Sequence, residues 1–194
     1  MTGENVARTS KWASRFVFAA VLQGLLALGL TAYLLYQATF GVPAASRIVA
    51  GGGAGTWLTV GYLGYLILGL VGTAVTAQMY RHLEVELRKP FTGKANAFGW
   101  LHLVLWNVGV VGATWLMMNA GYRGGAAALP EASGGLGWTG AKAGLVHSEI
   151  MVHYPPYIAV FMALALAGAF LGIVGYLLVW ARPAKVSAPK PTEA

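Results

Sequence analysis

Cysteine and aspartate are both missing from this chain, and its six acidic groups, all glutamates, face thirteen lysines and arginines. Without cysteine there is no disulfide, no thiolate nucleophile, no Cys-ligated iron–sulfur cluster and no Cys-type zinc site. Any metal would have to rest on His, Met or Glu. Charge of either sign is scarce, at 10% of residues, whereas hydrophobic residues make up 57% and the mean hydropathy is +0.63. Those values lie outside the range of water-soluble domains. The chain also lacks a nucleophile elbow, a phosphate-binding loop, a zinc-helix motif and a constellation of paired carboxylates, so enzyme chemistry by this chain alone is not expected. Its formal charge of +7 flanks apolar blocks instead of forming a patch with interleaved aromatics. Anionic lipid headgroups, not nucleic acid, are therefore the expected partners of the basic groups.

What fills the chain is four long apolar blocks, at about residues 14–40, 57–80, 97–119 and 154–180. Each reaches the roughly 20 residues that a bilayer crossing requires. The first is also too long for the apolar core of a cleaved signal peptide, about 7–15 residues, and reads as a retained helix. Gly41 and Pro43 end it, and the glycine run Gly51 to Gly55 leads into the second block, which Arg81 and His82 close. Phe98 and Trp100 open the third, as suits the membrane interface. Residues 120–153 form the longest connection, an outer loop with a short surface helix expected over 139–151. The corner Tyr154-Pro155-Pro156-Tyr157 starts the fourth block, where proline fits a first helical turn. Residues 184–194 have the Pro/Lys/Ala composition of a disordered tail. The predicted fold is an all-α integral membrane protein: a single domain over 1–183, folded as an up-down four-helix transmembrane bundle.

Basic residues set the orientation. Arg8, Lys11, Arg15, Arg81, Arg88, Lys89, Lys94, Arg182, Lys185 and Lys190 fall on one side, and only Arg47, Arg123 and Lys142 on the other. Positive charge is retained on the cytoplasmic side, so both termini and the middle loop are expected there, in a prokaryotic cytoplasmic membrane.

Small residues recur at close spacing within the blocks: Gly61, Gly64, Gly69 and Gly72, then Gly109 and Gly112, then Gly168, Gly172 and Gly175. In lipid, helices associate by close backbone approach, which glycine permits, so these are expected packing positions, either inside the bundle or against another subunit.

Polar groups inside the blocks are few, chiefly Gln23, His102 and Asn107, and Asn107 is expected to bond a neighbouring helix. Two constellations could carry chemistry. His82 ends the second block and His102 begins the third, which would put two imidazoles near one face as axial ligands of a b-type haem, or simply as polar anchors at headgroup level. On the other side His147, Glu149 and His153 lie near Met117 and Met118, a donor set suited to copper, or else an interfacial hydrogen-bond cluster.

Two stretches resemble segments of the catalytic subunit of the haem–copper oxidase and nitric oxide reductase superfamily. KWASRFVFAAVLQGLLALGLTAYLLY, from Lys11 to Tyr36, resembles that family's opening helix with its basic lead-in. WLHLVLWNVGVVGATWLMMNAGYRGG, from Trp100 to Gly125, resembles a later helix in which an early His or Trp precedes an Asn-x-Gly step. Together they cover about a quarter of the chain. The second block holds no internal His, and the family's His-rich active-site helices have no counterpart. The resemblance implies a shortened relative or companion subunit that has lost the haem and copper sites, and it transfers no catalytic residue. The expected function is a non-catalytic accessory subunit of a respiratory, terminal-oxidase-like electron-transport assembly, docked through its glycine faces. The alternatives are a small redox protein binding haem b or copper, and a small transporter or channel.

Overall fold

The computed structural model describes residues 9–183. Along it run α1 (Lys11–Phe40), the short α2 (Ala45–Ala50), α3 (Gly53–Glu86), α4 (Lys94–Ala128) and α5 (Pro155–Trp180). All except α2 are long and apolar enough to cross a membrane. The shortest of these, with 26 residues, is about 39 Å long, against a hydrocarbon core of about 30 Å. Their outward faces are apolar: Leu28 is 68% exposed, Leu166 66% and Phe170 64%. Lipid solvates such faces and water does not, so the structure is that of an integral membrane protein. The expected disordered tail, 184–194, lies outside the described residues.

The elements are longer than the apolar blocks because tertiary contacts carry the helices past them. α1 begins at Lys11, where Ser10 caps it by accepting a hydrogen bond from the Ala13 amide at 2.9 Å. α3 continues to Glu86, and Glu84 on that extension accepts from Ser10 Oγ, from the Trp12 amide at 3.2 Å and from the Phe91 amide at 3.4 Å. One carboxylate thus satisfies unpaired donors at the α1 N-terminus, where the helix dipole favours negative charge, and fixes the loop into α4. The third block was expected to give way to loop at residue 120, yet α4 runs to Ala128. Gly124 lies against Met151 and Ala54, and Gly125 against Ile48 and Gly55, so contacts a larger residue would block outweigh glycine's weak helix propensity. The expected surface helix is a run of short turns from Gly140 to His153, pinned by buried Val146 and Met151. Gly93 precedes α4 with φ +61°, a conformation that favours glycine.

Consecutive long helices run antiparallel. Gly61 on α3 meets Thr114 and Met118 on α4, while Gly168 and Gly175 on α5 meet Trp106 and Phe98 of α4. We call the end that carries Lys11, Arg15, Arg81, Lys89, Lys94 and Arg182 the basic end, and the opposite one the loop end. The long helices do not pack evenly. α4 and α5 lie together along their lengths, whereas α3 changes partner: Thr56–Gly64 lies on α4, and Thr73–Arg81 lies on α1. Between them Tyr65–Gly72 has the wider π-helical hydrogen bonding, which rotates the face that α3 presents.

Candidate functional site: two clefts and the polar core between them

Because α3 leans first on α4 and then on α1, a cleft opens beside each half. At the loop end α1 and α4 stand apart around a cleft of about 480 Å³, floored by Leu58 and lined by Gly29, Tyr33, Trp115, Asn119 and Tyr122. At the basic end α3 and α5 stand apart around a cleft of about 370 Å³, whose floor is His102 and Trp106 of α4. Tyr80 and Thr76 form one wall of that cleft, and Ala169, Ile173 and Tyr176 of α5 the other.

The two clefts are separated by a hydrogen-bonded core. Gln23 Nε2 donates to Asn107 Oδ1 at 2.9 Å, and the Tyr65 hydroxyl donates to Gln23 Oε1 at 2.6 Å. Asn107 Nδ2 donates to its own helix at the Leu103 carbonyl, 2.7 Å away, and fully buried Thr73 reaches Asn107 Oδ1 at 3.4 Å. Three helices are therefore joined by polar side chains at one level, as expected of Asn107. Such bonds are locally self-sufficient, and every side-chain amide finds a partner.

The basic end is aromatic. Phe16 stacks on Tyr80 with centroids 4.9 Å apart, Trp12 meets Trp100 edge-on at 5.5 Å, and the Arg15 guanidinium lies 4.4 Å from the Trp12 ring centre and 4.5 Å from that of Trp100. A cation over two indoles, beside a bundle of apolar helices, is an arrangement suited to the headgroup level.

The two histidines expected to act as a pair have different partners. His82 is exposed and its Nδ1 lies 2.6 Å from Glu86 Oε2, one turn along the same helix. His102 instead packs into the bundle, 5.0 Å from the Phe16 ring centre, with Nδ1 3.2 Å from the Tyr80 hydroxyl. His102 is half-buried, with Gly172 of α5 and the Phe16 ring of α1 against its imidazole. On the loop side His147, Glu149 and His153 are all exposed. Among the described residues no three His, Cys, Asp or Glu side chains converge to hold a metal. Glu149 and His153 border a pocket of about 260 Å³ with Arg123 and Tyr154, which His147 does not line. Met118 is buried against Gly61, and Met117 is half-buried in α4.

The glycine faces are used within the chain. A Cβ on Gly109 would lie 2.4 Å from the Ala165 amide nitrogen, one on Gly112 would lie 2.2 Å from the Phe161 ring, and one on Gly172 would lie 2.2 Å from His102 Nδ1. A Cβ on Gly61, Gly168 or Gly175 would stand 2.7, 2.6 or 2.9 Å from α4, while Gly64 and Gly72 face Thr114 and Trp106 at 3.5 and 3.3 Å and Gly69 faces Tyr65 of its own helix. The close approaches of Gly61, Gly109, Gly112, Gly168, Gly172 and Gly175 thus pack helices within this bundle, one of the two uses expected of them. Sequence reasoning also passed over Tyr65, Thr73, Tyr80 and Trp106. The signal was present, since 65, 73 and 80 recur at seven- and eight-residue steps on one face of α3, and Trp106 follows His102 by four.

Compared with known proteins, the chain matches no family model, no curated protein and no solved structure.

Proposed function

We propose that this chain is a non-catalytic subunit of a larger membrane assembly, an up-down bundle that receives a partner's helix in the cleft between α1 and α4. The observation that carries this reading is Gly29. Apart from Gly53 at the very start of α3, it is the one glycine of the four long helices with no neighbouring atom within 4 Å of where a Cβ would stand, and it lies in the wall of an open cleft. α1 is packed chiefly on α3, on one side, and opposite Gly29 stand the polar groups of Asn119 and Tyr122. A bare backbone patch facing side-chain hydrogen-bonding groups at membrane depth is what a further helix uses to pack and to bond. That the assembly is of respiratory electron-transport type rests on the resemblance of the Lys11–Tyr36 and Trp100–Gly125 stretches.

The excess of basic residues at one end supports an N-in, C-in orientation in a prokaryotic cytoplasmic membrane, with the basic end cytoplasmic. Since the chain has no cysteine, Ser148→Cys is expected to react with an impermeant thiol reagent added outside cells, and Thr92→Cys is not; the reverse pattern overturns the orientation.

The docking reading is tested by mild-detergent extraction and native gels. Wild-type chain should migrate with other subunits. Gly29→Leu, which meets nothing inside this chain, should release it from them while leaving its own thermal unfolding unchanged. A wild-type chain that runs alone, or a Gly29→Leu chain that keeps its companions, overturns the proposal.

A further inference from the structure

A groove on the outside of the bundle carries an inference independent of docking. It lies at the basic end, between α1 and the last turns of α3, with a volume of about 500 Å³. Its lining changes character along α1. Thr9, Ser14 and Arg81 border one end, and Val17, Phe18 and Val21 the rest. These three apolar side chains are exposed, Phe18 by 65%, so lipid and not protein covers them in the chain alone. From Ser14 to Val21 the helix rises about 11 Å, within the hydrocarbon depth of one leaflet, about 15 Å. A membrane-spanning partner helix would need a face that continues through the second leaflet. A lipid needs only one.

The polar end carries positive charge that the chain does not neutralise. Arg81 is exposed and forms no ion pair among the described residues. The two carboxylates that follow it on α3 are committed elsewhere. Glu84 accepts from Ser10 Oγ and from the Trp12 and Phe91 amides, and Glu86 Oε2 lies 2.6 Å from His82 Nδ1. Among the described residues no acidic side chain lines the groove. Lys11, also exposed, precedes Ser14 by one turn on the same face of α1. The Ser14 hydroxyl donates to the Ser10 carbonyl at 2.8 Å, so it offers no competing hydrogen bond to the guanidinium's ligand. A guanidinium pairs with phosphate through two parallel N–H donors, and a trough of valine and phenylalanine below it accepts an alkyl chain.

We propose that this groove binds one anionic glycerophospholipid, its phosphate held by Arg81 with Lys11 beside it and one acyl chain lying along Val17, Phe18 and Val21. Glu84 leaves the site vacant for lipid: by serving the α1 N-terminus it gives Arg81 no counter-ion inside the chain. Such a site is distinct from a diffuse attraction of anionic headgroups to the whole basic end. It holds one lipid, and it depends on one arginine more than on the others.

The test titrates the delipidated full chain in detergent micelles with phosphatidylglycerol and counts bound lipids by native mass spectrometry. Wild-type protein should bind one equivalent more tightly than any further ones, and phosphatidylcholine of the same chains should bind more weakly. Arg81→Gln should weaken that equivalent about fivefold, the worth of one cation near a membrane surface, and Arg81→Lys should recover part of the loss. Ser14→Trp keeps every charge but fills the groove, and should abolish the tight equivalent. Arg182→Gln removes a cation of the same end that does not line the groove, and should bind as wild type. Lipid-free Arg81→Gln and Ser14→Trp should unfold at the wild-type temperature, because both positions are exposed. Equal losses in Arg81→Gln and Arg182→Gln overturn the proposal in favour of diffuse charge. So does a tight equivalent that survives Ser14→Trp, or phosphatidylcholine bound as tightly as phosphatidylglycerol.

Discussion

The two halves of α3 show how one helix can be held by opposite means. Its loop-end half lies backbone to backbone on α4. The backbone of Trp57 and Leu58 approaches Gly121 so closely that a Cβ there would stand 2.0 Å from the Leu58 amide nitrogen, and one on Gly61 would stand 2.7 Å from the Thr114 carbonyl oxygen. Its basic-end half is held to α1 by large side chains, Tyr80 stacked on Phe16 and beside Trp12, with Ala77 and Leu83 filling the same buried cluster. Glycine contact brings helix axes together and leaves no room for a ligand. Aromatic contact holds axes apart and leaves gaps between rings. Both clefts follow from this change of partner, and the one at the basic end inherits the aromatic walls.

The comparison breaks most visibly where backbones touch. Gly109→Leu must push α5 off α4, because the new side chain begins 2.4 Å from the Ala165 amide nitrogen and 2.6 Å from the Phe161 carbonyl oxygen. A loss on the order of 3 kcal/mol or more is expected in detergent-titrated unfolding. Gly29→Leu serves as its control with no measurable loss, and equal losses for the two would sink the distinction between packed and open glycines.

A middle-sized effect is expected in the polar core. Gln23→Leu leaves the Tyr65 hydroxyl and Asn107 Oδ1 without their strongest partner, and should cost about 1–2 kcal/mol, as unpaired groups and interhelical bonds in membranes do. Gln23→Glu keeps an acceptor for Tyr65 and should recover part of the loss when measured at acidic pH, where its carboxyl is neutral. A Leu variant as stable as wild type would show that the level joining α1, α3 and α4 is held by packing alone.

The smallest effect sharpens the contrast between the two histidines. His82→Ala removes an exposed i,i+4 contact with Glu86 and should change stability by less than about 0.5 kcal/mol. His102→Ala, beneath Gly172 and beside Phe16, should cost several times as much in the same unfolding assay. Similar values for the two would mean that His102 is as loosely held as an interfacial residue.

Much of this was legible along the chain. Blocks of apolar residues at 14–40, 57–80, 97–119 and 154–180 locate the four long helices, because any segment crossing lipid must satisfy its own backbone and present apolar side chains. Scarce polar residues inside such blocks mark bonds, so Asn107 pointed to a neighbour. Other residues were less legible. Nothing local distinguishes Gly29 from Gly109, since both are glycines in apolar helices. His82 and His102 look alike as histidines near the ends of blocks, yet one pairs with its own helix and the other with Tyr80.

Composition and periodicity alone therefore determined that this is a four-helix membrane chain with a basic end, since those properties depend on how each residue partitions between water and lipid. Only the tertiary structure decided which glycines pack against a neighbouring helix and which, like Gly29, stand open, that α3 exchanges α4 for α1 halfway along, and that His102 and Trp106 line one cleft. Each of those depends on helix rotation and on which backbones approach, quantities set by packing among residues distant in sequence.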